Sequence, residues 1–269
     1  MFKRLKNLRK FLKQYPYNTL YGKVLILDYL LLRLLPKTSF PNMSIIPFVK
    51  KAYNLDSDEE FRARYYFSRI GAEKLWNSHS RNDRESIEHF YQEHDLDIWR
   101  QAQFSKYDYD CKKKTLHTFH ILKSFVRKSD PILDFGCGSG VLFHYLYTNG
   151  FTAVDAADIP SWTLNFILKY MPQFARRIIN LGSEQLLKNH YAAIVAVDCL
   201  EHTMEPLKIT KNLIESLRQG GGLFIVKFPK ETDFSWTHIR QAQEQREVTF
   251  NFIKKSCKTI VPELVYRKI

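Results

Sequence analysis

The sequence predicts an α/β fold: a doubly wound, mostly parallel sheet with helices on both faces, preceded by a helical N-terminal extension. Three observations lead there. From about residue 111 onward, short apolar runs alternate with amphipathic stretches, the pattern of strands joined by helical crossovers. A glycine-rich turn, Gly136 to Gly140, separates one such strand from the helix after it. Before residue 105 the alternation is missing, and charged residues dominate a mixed, helix-like stretch. The chain therefore divides into an extension, 1–105, and a body, 106–269.

The extension begins with a strongly basic arm. Residues 1–51 hold eleven Lys and Arg against one acid, Asp28, a net charge of +10; the chain carries +13, so the rest holds only +3. That concentration argues against a nucleic-acid partner, which needs a basic face on the domain doing the reading. In "MFKRLKNLRKFLKQ", Met1, Leu5, Leu8 and Leu12 fall at helical spacing with lysines and arginines mostly opposite. This is a short basic amphipathic helix, and residues 1–36 suit either docking on the body or peripheral contact with an anionic membrane. The apolar run 24–35 is interrupted by Asp28 and Arg33 and is too short to span a bilayer. Further on, "SDEEFRARYYFSRIGAEKLW" reads as helix, with Ser57 and Glu60 forming a capping box. Four cysteines are scattered with no CxxC pair, which suits a reducing, cytoplasmic setting.

The body is read element by element. Residues 111–128 make a helix carrying Leu116, Phe119, Ile121, Leu122 and Phe125. "PILDF" is a buried strand, "VLFHYLYTNG" a helix, and "FTAVDAADIP" a second strand ending in Asp158. Ser161 caps the next helix. "RRIIN", "AAIVAVD" and "GLFIVKFP" are three further strands, and "PLKITKNLIESLRQGGG" is a helix running into a glycine stop.

Glycines between a strand and a helix let the backbone turn sharply and approach a ligand. Asp158 follows Gly136 by 22 residues at the end of the next strand, where an acid typically holds ribose hydroxyls. A nicotinamide-binding turn usually reads GxGxxG; here the pattern is Asp134-x-Gly136-x-Gly138-x-Gly140. This pattern resembles motif I of class I S-adenosylmethionine-dependent methyltransferases, which are Rossmann-like. The resemblance covers residues 106–269 and extends to "DIP" at 158–160, "VDCLEH" at 197–202 and "LRQGGGLFIVKFP" at 217–229. One position departs: Ala192 stands where relatives often carry an acid. The resemblance implies S-adenosyl-L-methionine as cofactor. Asp134, Gly136, Cys137, Gly138 and Gly140 would form its cradle and Asp158 would hold the ribose. Ile159 would pack on the adenine, and Asp198 and Leu200 would flank the methionine end.

The donor carries its own leaving group, so the protein must align the acceptor and, for a hydroxyl, remove a proton. The Asp/Asn-Pro-Pro-aromatic run of nucleobase-methylating families is absent; "DCLEH" stands in its place. Asp198, Glu201 and His202 at one strand end, with His238 after the next strand, offer two carboxylates and two imidazoles to one cleft. Glu201, His202 and His238 are candidate catalytic groups, with a histidine as general base. With Asp198 they are also candidate ligands of a divalent metal ion. The arrangement is similar to that of ubiquinone-pathway O-methyltransferases and of small-RNA 2′-O-methyltransferases. The expected function is O-methylation of a small-molecule, sugar or lipid-linked acceptor. The alternatives are RNA ribose 2′-O-methylation and a non-catalytic cofactor-binding partner protein. The expected location is cytoplasmic, with peripheral attachment at the inner face of a membrane if the arm binds lipid. Tyr107 and Tyr109, just before the body, could close over a ligand or simply pack.

Overall fold

The computed structural model of the chain describes residues 40–80, 82–230 and 237–269. The basic arm and the apolar run at 24–35 lie outside the described residues. No described helix is long and apolar enough to cross a membrane.

The described part of the extension is helical. Helices α1 (Ile46–Tyr53), α2 (Asp58–Arg69), α3 (Ala72–Ser78), α4 (Arg84–Glu93) and α5 (Leu96–Tyr107) follow one another. The capping box at the start of α2 is formed: the Glu60 amide donates to Ser57 Oγ at 3.1 Å, and the Ser57 amide donates to Glu60 Oε2 at 3.3 Å. The helical run expected from 57 to 76 is broken in two at Gly71, whose φ of +85° only glycine adopts easily. Helix α5 continues past position 105, so the extension and the body share a helix boundary rather than a linker.

The body follows the predicted alternation. Helix α6 (Tyr109–Phe125) leads into β1 (Ile132–Phe135), α7 (Val141–Thr148), β2 (Val154–Asp158), α8 (Trp162–Tyr170) and β3 (Arg177–Asn180). Then come β4 (Ala193–Val197), α9 (Pro206–Ser216), β5 (Leu223–Lys227), α10 (Arg240–Ser256), β6 (Cys257–Val261) and β7 (Val265–Lys268). Ser161 caps α8 by accepting from the Leu164 amide at 3.0 Å. Helix α9 stops at Ser216, before the glycines; Gly220 and Gly221, both at positive φ, serve the turn into β5 instead.

The seven strands form one sheet in the order β3-β2-β1-β4-β5-β7-β6. The first five are parallel, and β7 pairs antiparallel with both β5 and β6. The β6–β7 hairpin is the part that the strand reading above lacks. Its outward positions carry Lys258, Arg267 and Lys268, so no continuous apolar run marks it. Alternate residues of each strand face opposite layers: Ile132 joins one core, while Leu133 and Phe135 join the other. The extension feeds both. Ile45, Phe61, Ile98 and Trp99 pack with Leu116, Ile132 and Phe143. Trp76, Ile87 and Phe90 pack in the second core with Leu133 and Phe224. Each such large side chain contributes about 1.5–3 kcal/mol on burial, so the extension is part of the folded unit that shapes the cleft.

Candidate functional site

The strand order reverses between β1 and β4, and ligands of open α/β sheets bind outside the carboxyl ends of the strands at such a point. A cleft of about 570 Å³ opens there, within the range of small-molecule sites. Gly136, Gly138, Asp158, Ile159, Asp198 and His202 all line it.

The donor half is built from backbone. After β1 the chain turns through Gly136 and Gly138 at φ of +68° and +51°. A side chain at Gly136 would put its Cβ 2.5 Å from Cys199 Cβ, so only glycine lets this turn close against the end of β4. Asp158 ties the turn to β2: its Oδ2 accepts from the Gly138 amide at 2.7 Å, and its Oδ1 accepts from the Ile159 amide at 2.8 Å. Burial pushes the Asp158 carboxyl up to about 6 against those two donors. Asp134 is buried, and its Oδ2 has no hydrogen-bond partner among the described residues. Burial, then the charge of Asp158, raises it to about 7. Asp134, Cys137, Gly140 and Leu200 do not border the cleft. Cys137 and Leu200 are core residues, and Gly140 is the N-cap of α7, facing the Phe143 ring.

The extension contributes residues that the sequence reading missed. Gln101 of α5 accepts from the Ser139 amide at 2.7 Å and from Ser139 Oγ at 2.8 Å. Its side chain occupies the space that a Cβ at Gly138 would need. Beside it, Arg100 faces the cleft, with Nη2 on Asp97 at 2.8 Å and a buried Nε lacking a hydrogen-bond partner. Neither carries a motif; only the packing of α5 over the glycine turn brings them in. Tyr107 and Tyr109 are not part of the cleft lining. Tyr107 stacks with Arg62, and Tyr109 packs edge-on against Phe40.

The other half stands on the ends of β4 and β5. After Val197 the chain passes Asp198 and enters a 3-10 turn, Leu200–His202. The Ile239 amide donates to the Glu201 carbonyl at 2.9 Å, drawing the start of α10 over this turn. His202 Nδ1 donates to the Thr237 carbonyl at 3.0 Å, which leaves Nε2 as the proton acceptor of the ring. The His238 ring stands edge-on to it, 5.3 Å away. Burial lowers His202 to about 4 and raises Glu201, with help from Asp198, to about 8. At neutral pH the imidazole is uncharged and the carboxyl is largely protonated. Glu201 Oε2 has no hydrogen-bond partner among the described residues.

The structure corrects the expected metal set. Glu201, His202 and His238 come together, with one ligand atom from each within 4.8 Å of the others, but Asp198 is not among them. Its Oδ2 is held by Lys114 at 2.5 Å and its Oδ1 by Lys227 at 3.0 Å, and a carboxylate engaged by two ammonium groups is not free to ligate an ion. No other group of three such side chains assembles among the described residues.

The family model agrees with this architecture. Residues 104–254, more than half of the chain, match the family model described as a methyltransferase domain. The chain belongs to the methyltransferase-domain family, class I in its Rossmann-like sheet order. No curated protein matches it. Among solved structures, it resembles a Methanococcus maripaludis protein put forward as an S-adenosyl-L-methionine-dependent methyltransferase. The identity is 14% over 71% of this chain and 94% of that one, with a TM-score of 0.48. It also resembles an S-adenosylmethionine-dependent methyltransferase of Mesorhizobium loti, 16% identical over 42% and 53%, with a TM-score of 0.35. The chain spans 49–59% of the length of four of the matched structures. At such identities none of these likenesses speaks to substrate.

The family's cofactor can be tested against the residues present. A turn without side chains at Gly136 and Gly138 and an acid at the end of β2, all on the cleft wall, suit an adenosyl ligand. They fit S-adenosyl-L-methionine.

Proposed function

We propose that the protein is an S-adenosylmethionine-dependent O-methyltransferase acting on a small-molecule, sugar or lipid-linked hydroxyl. The observation that carries this reading is His202, an uncharged imidazole on the cleft wall whose Nδ1 is committed to the Thr237 carbonyl. The donor, when bound, supplies an electrophilic methyl group on a cationic sulfur. Gly136, Gly138 and Asp158 hold it, and Ile159 packs beside it. His202 Nε2 accepts the hydroxyl proton as the acceptor oxygen takes the methyl group. The His238 ring packs edge-on against His202 and fixes its plane, with Glu201 buried beside the pair. This group is read as proton machinery rather than as an ion site, because His202 Nδ1 is committed to the Thr237 carbonyl and burial keeps the Glu201 carboxyl protonated. The charge of the arm at 1–36 keeps lipid-linked acceptors, and attachment at a membrane surface, within the reading.

The test starts with calorimetry of S-adenosylmethionine binding to wild type, Asp158→Ala and His202→Gln. Methyl transfer to phenols, sugars, polyprenyl alcohols and RNA is then assayed with and without a chelator. Binding should weaken in Asp158→Ala and persist in His202→Gln. Turnover on a hydroxyl should fall about a hundredfold in His202→Gln and ignore the chelator. A folded wild type that binds no donor overturns the reading and leaves the partner-protein role. Full turnover by His202→Gln removes the base, and transfer to RNA alone replaces the acceptor class.

A further inference from the structure

The charge beside the methyl-transfer end of the cleft does not balance. Lys114 comes from α6, Asp198 from the end of β4 and Lys227 from the end of β5, so three elements far apart in sequence meet in one cluster. One carboxylate there answers two ammonium groups. Among the described ion pairs, neither lysine has a second acid. The three side chains are 39%, 33% and 38% exposed, so the cluster is accessible yet partly withdrawn from water. Asp198 lines the cleft and stands at φ +53°, a left-handed conformation uncommon for a residue with a side chain. Backbone in such conformations persists where its surroundings over-determine it, and functional sites are where it collects.

Two like charges on long flexible stems would drift apart into solvent if repulsion alone acted on them. Asp198 holds them together and leaves one positive charge over. An oxyanion placed against the two ammonium groups would bring the cluster to neutrality and form charge-assisted hydrogen bonds with both. We propose that Lys114 and Lys227 form an oxyanion subsite that holds a carboxylate or phosphate group of the acceptor. This rests on the reading of the cleft as a methyl-transfer site, and it narrows the acceptor to molecules that carry a hydroxyl and an anionic group. The competing role is mechanical: the three charges merely pin α6, β4 and β5 together and bind nothing.

The test titrates the full chain with inorganic phosphate and, separately, with benzoate. Both are followed by calorimetry at constant ionic strength maintained with chloride, in the presence and absence of S-adenosylhomocysteine. The expected result is one saturable site, with the tighter of the two anions naming the acceptor's group. Lys114→Gln and Lys227→Gln should each weaken it about tenfold, Lys114→Arg should retain it, and Lys254→Gln, an exposed lysine of α10, should leave it unchanged. Melting curves of each variant separate loss of the site from loss of the fold, and Lys114→Arg tests charge without removing the Asp198 contact. Absence of saturable binding into the tens of millimolar, or wild-type affinity in both Gln variants, overturns the subsite. If the chain binds S-adenosylhomocysteine but neither anion, only the subsite falls; if it binds neither cofactor nor anion, the methyl-transfer reading falls with it.

Discussion

The two halves of the cleft are made differently. The half beside β1 and β2 is a backbone object: the glycine turn after β1, tied by the Asp158 carboxylate to the amides of Gly138 and Ile159. The half beside β4 is a side-chain object: Asp198 and His202 on the cleft wall, backed by groups from α6, the end of β5 and the start of α10. A backbone cradle is written in a contiguous stretch and tolerates little change, because glycine cannot be replaced where φ is positive and a neighbour is close. A side-chain constellation depends on where the fold brings distant residues, and can change partners without changing the sheet.

The sharpest way to break this comparison is at the point where the halves touch. Gly136→Ala places a Cβ 2.5 Å from Cys199 Cβ, a branch atom fixed to the backbone of the other half, and does so at φ +68°. Overpacking and left-handed strain together should cost about 3–4 kcal/mol. Urea unfolding measures it. A loss below about 1 kcal/mol would mean that the turn and the β4 end can slide apart, and that the two halves are not one rigid site.

Glu201 tests the half beside β4 alone. Burial holds its carboxyl near 8 in the folded chain, above the ordinary carboxylate value of 4.5. The sign follows: a group with a raised folded pKa adds stability fully below its unfolded pKa and loses it as pH rises through the folded one. Wild-type stability therefore falls between pH 4.5 and 8. Glu201→Gln cannot ionise, so it should flatten that slope and gain on wild type by something on the order of 3 kcal/mol at pH 7. The depressed His202 acts in the opposite sense, weakening the fold as pH drops from its ordinary value toward 4. It is present in both proteins and cancels. Parallel pH profiles for the two proteins would show that Glu201 is solvated and ionised, and would remove it from the proton machinery around His202.

Legibility in the sequence follows the same division. The five parallel strands, the glycine turn and Asp158 are local patterns, and each stands where the chain puts it. The β6–β7 hairpin was not legible, because lysine and arginine interrupt its apolar face. Glu201, His202 and His238 meet as the topology suggests, since β4 and β5 are neighbours. Lys114 and Lys227 had no signal at all: a lysine in a helix and one at a strand end look like solvated charges until the fold sets both against Asp198. The same holds for Arg100 and Gln101, which only the docking of α5 brings to the cleft.

Gln101 gives the finest test of whether the extension belongs to the half beside β1 and β2. At Gly138 an added Cβ meets only the amide end of Gln101, at 2.3 to 2.8 Å, a flexible group that can swing away. Swinging away sacrifices its two hydrogen bonds with Ser139. Gly138→Ala should therefore lose the left-handed strain plus about 1 kcal/mol for those bonds. Once Gln101→Ala has removed both the bonds and the obstacle, the same substitution should cost the strain alone. The double-mutant cycle then gives a coupling of about 1 kcal/mol, with Gly138→Ala less harmful in the Gln101→Ala background. Additive costs would place Gln101 away from the turn in solution, and the cradle would then be the work of β1 and β2 without the extension.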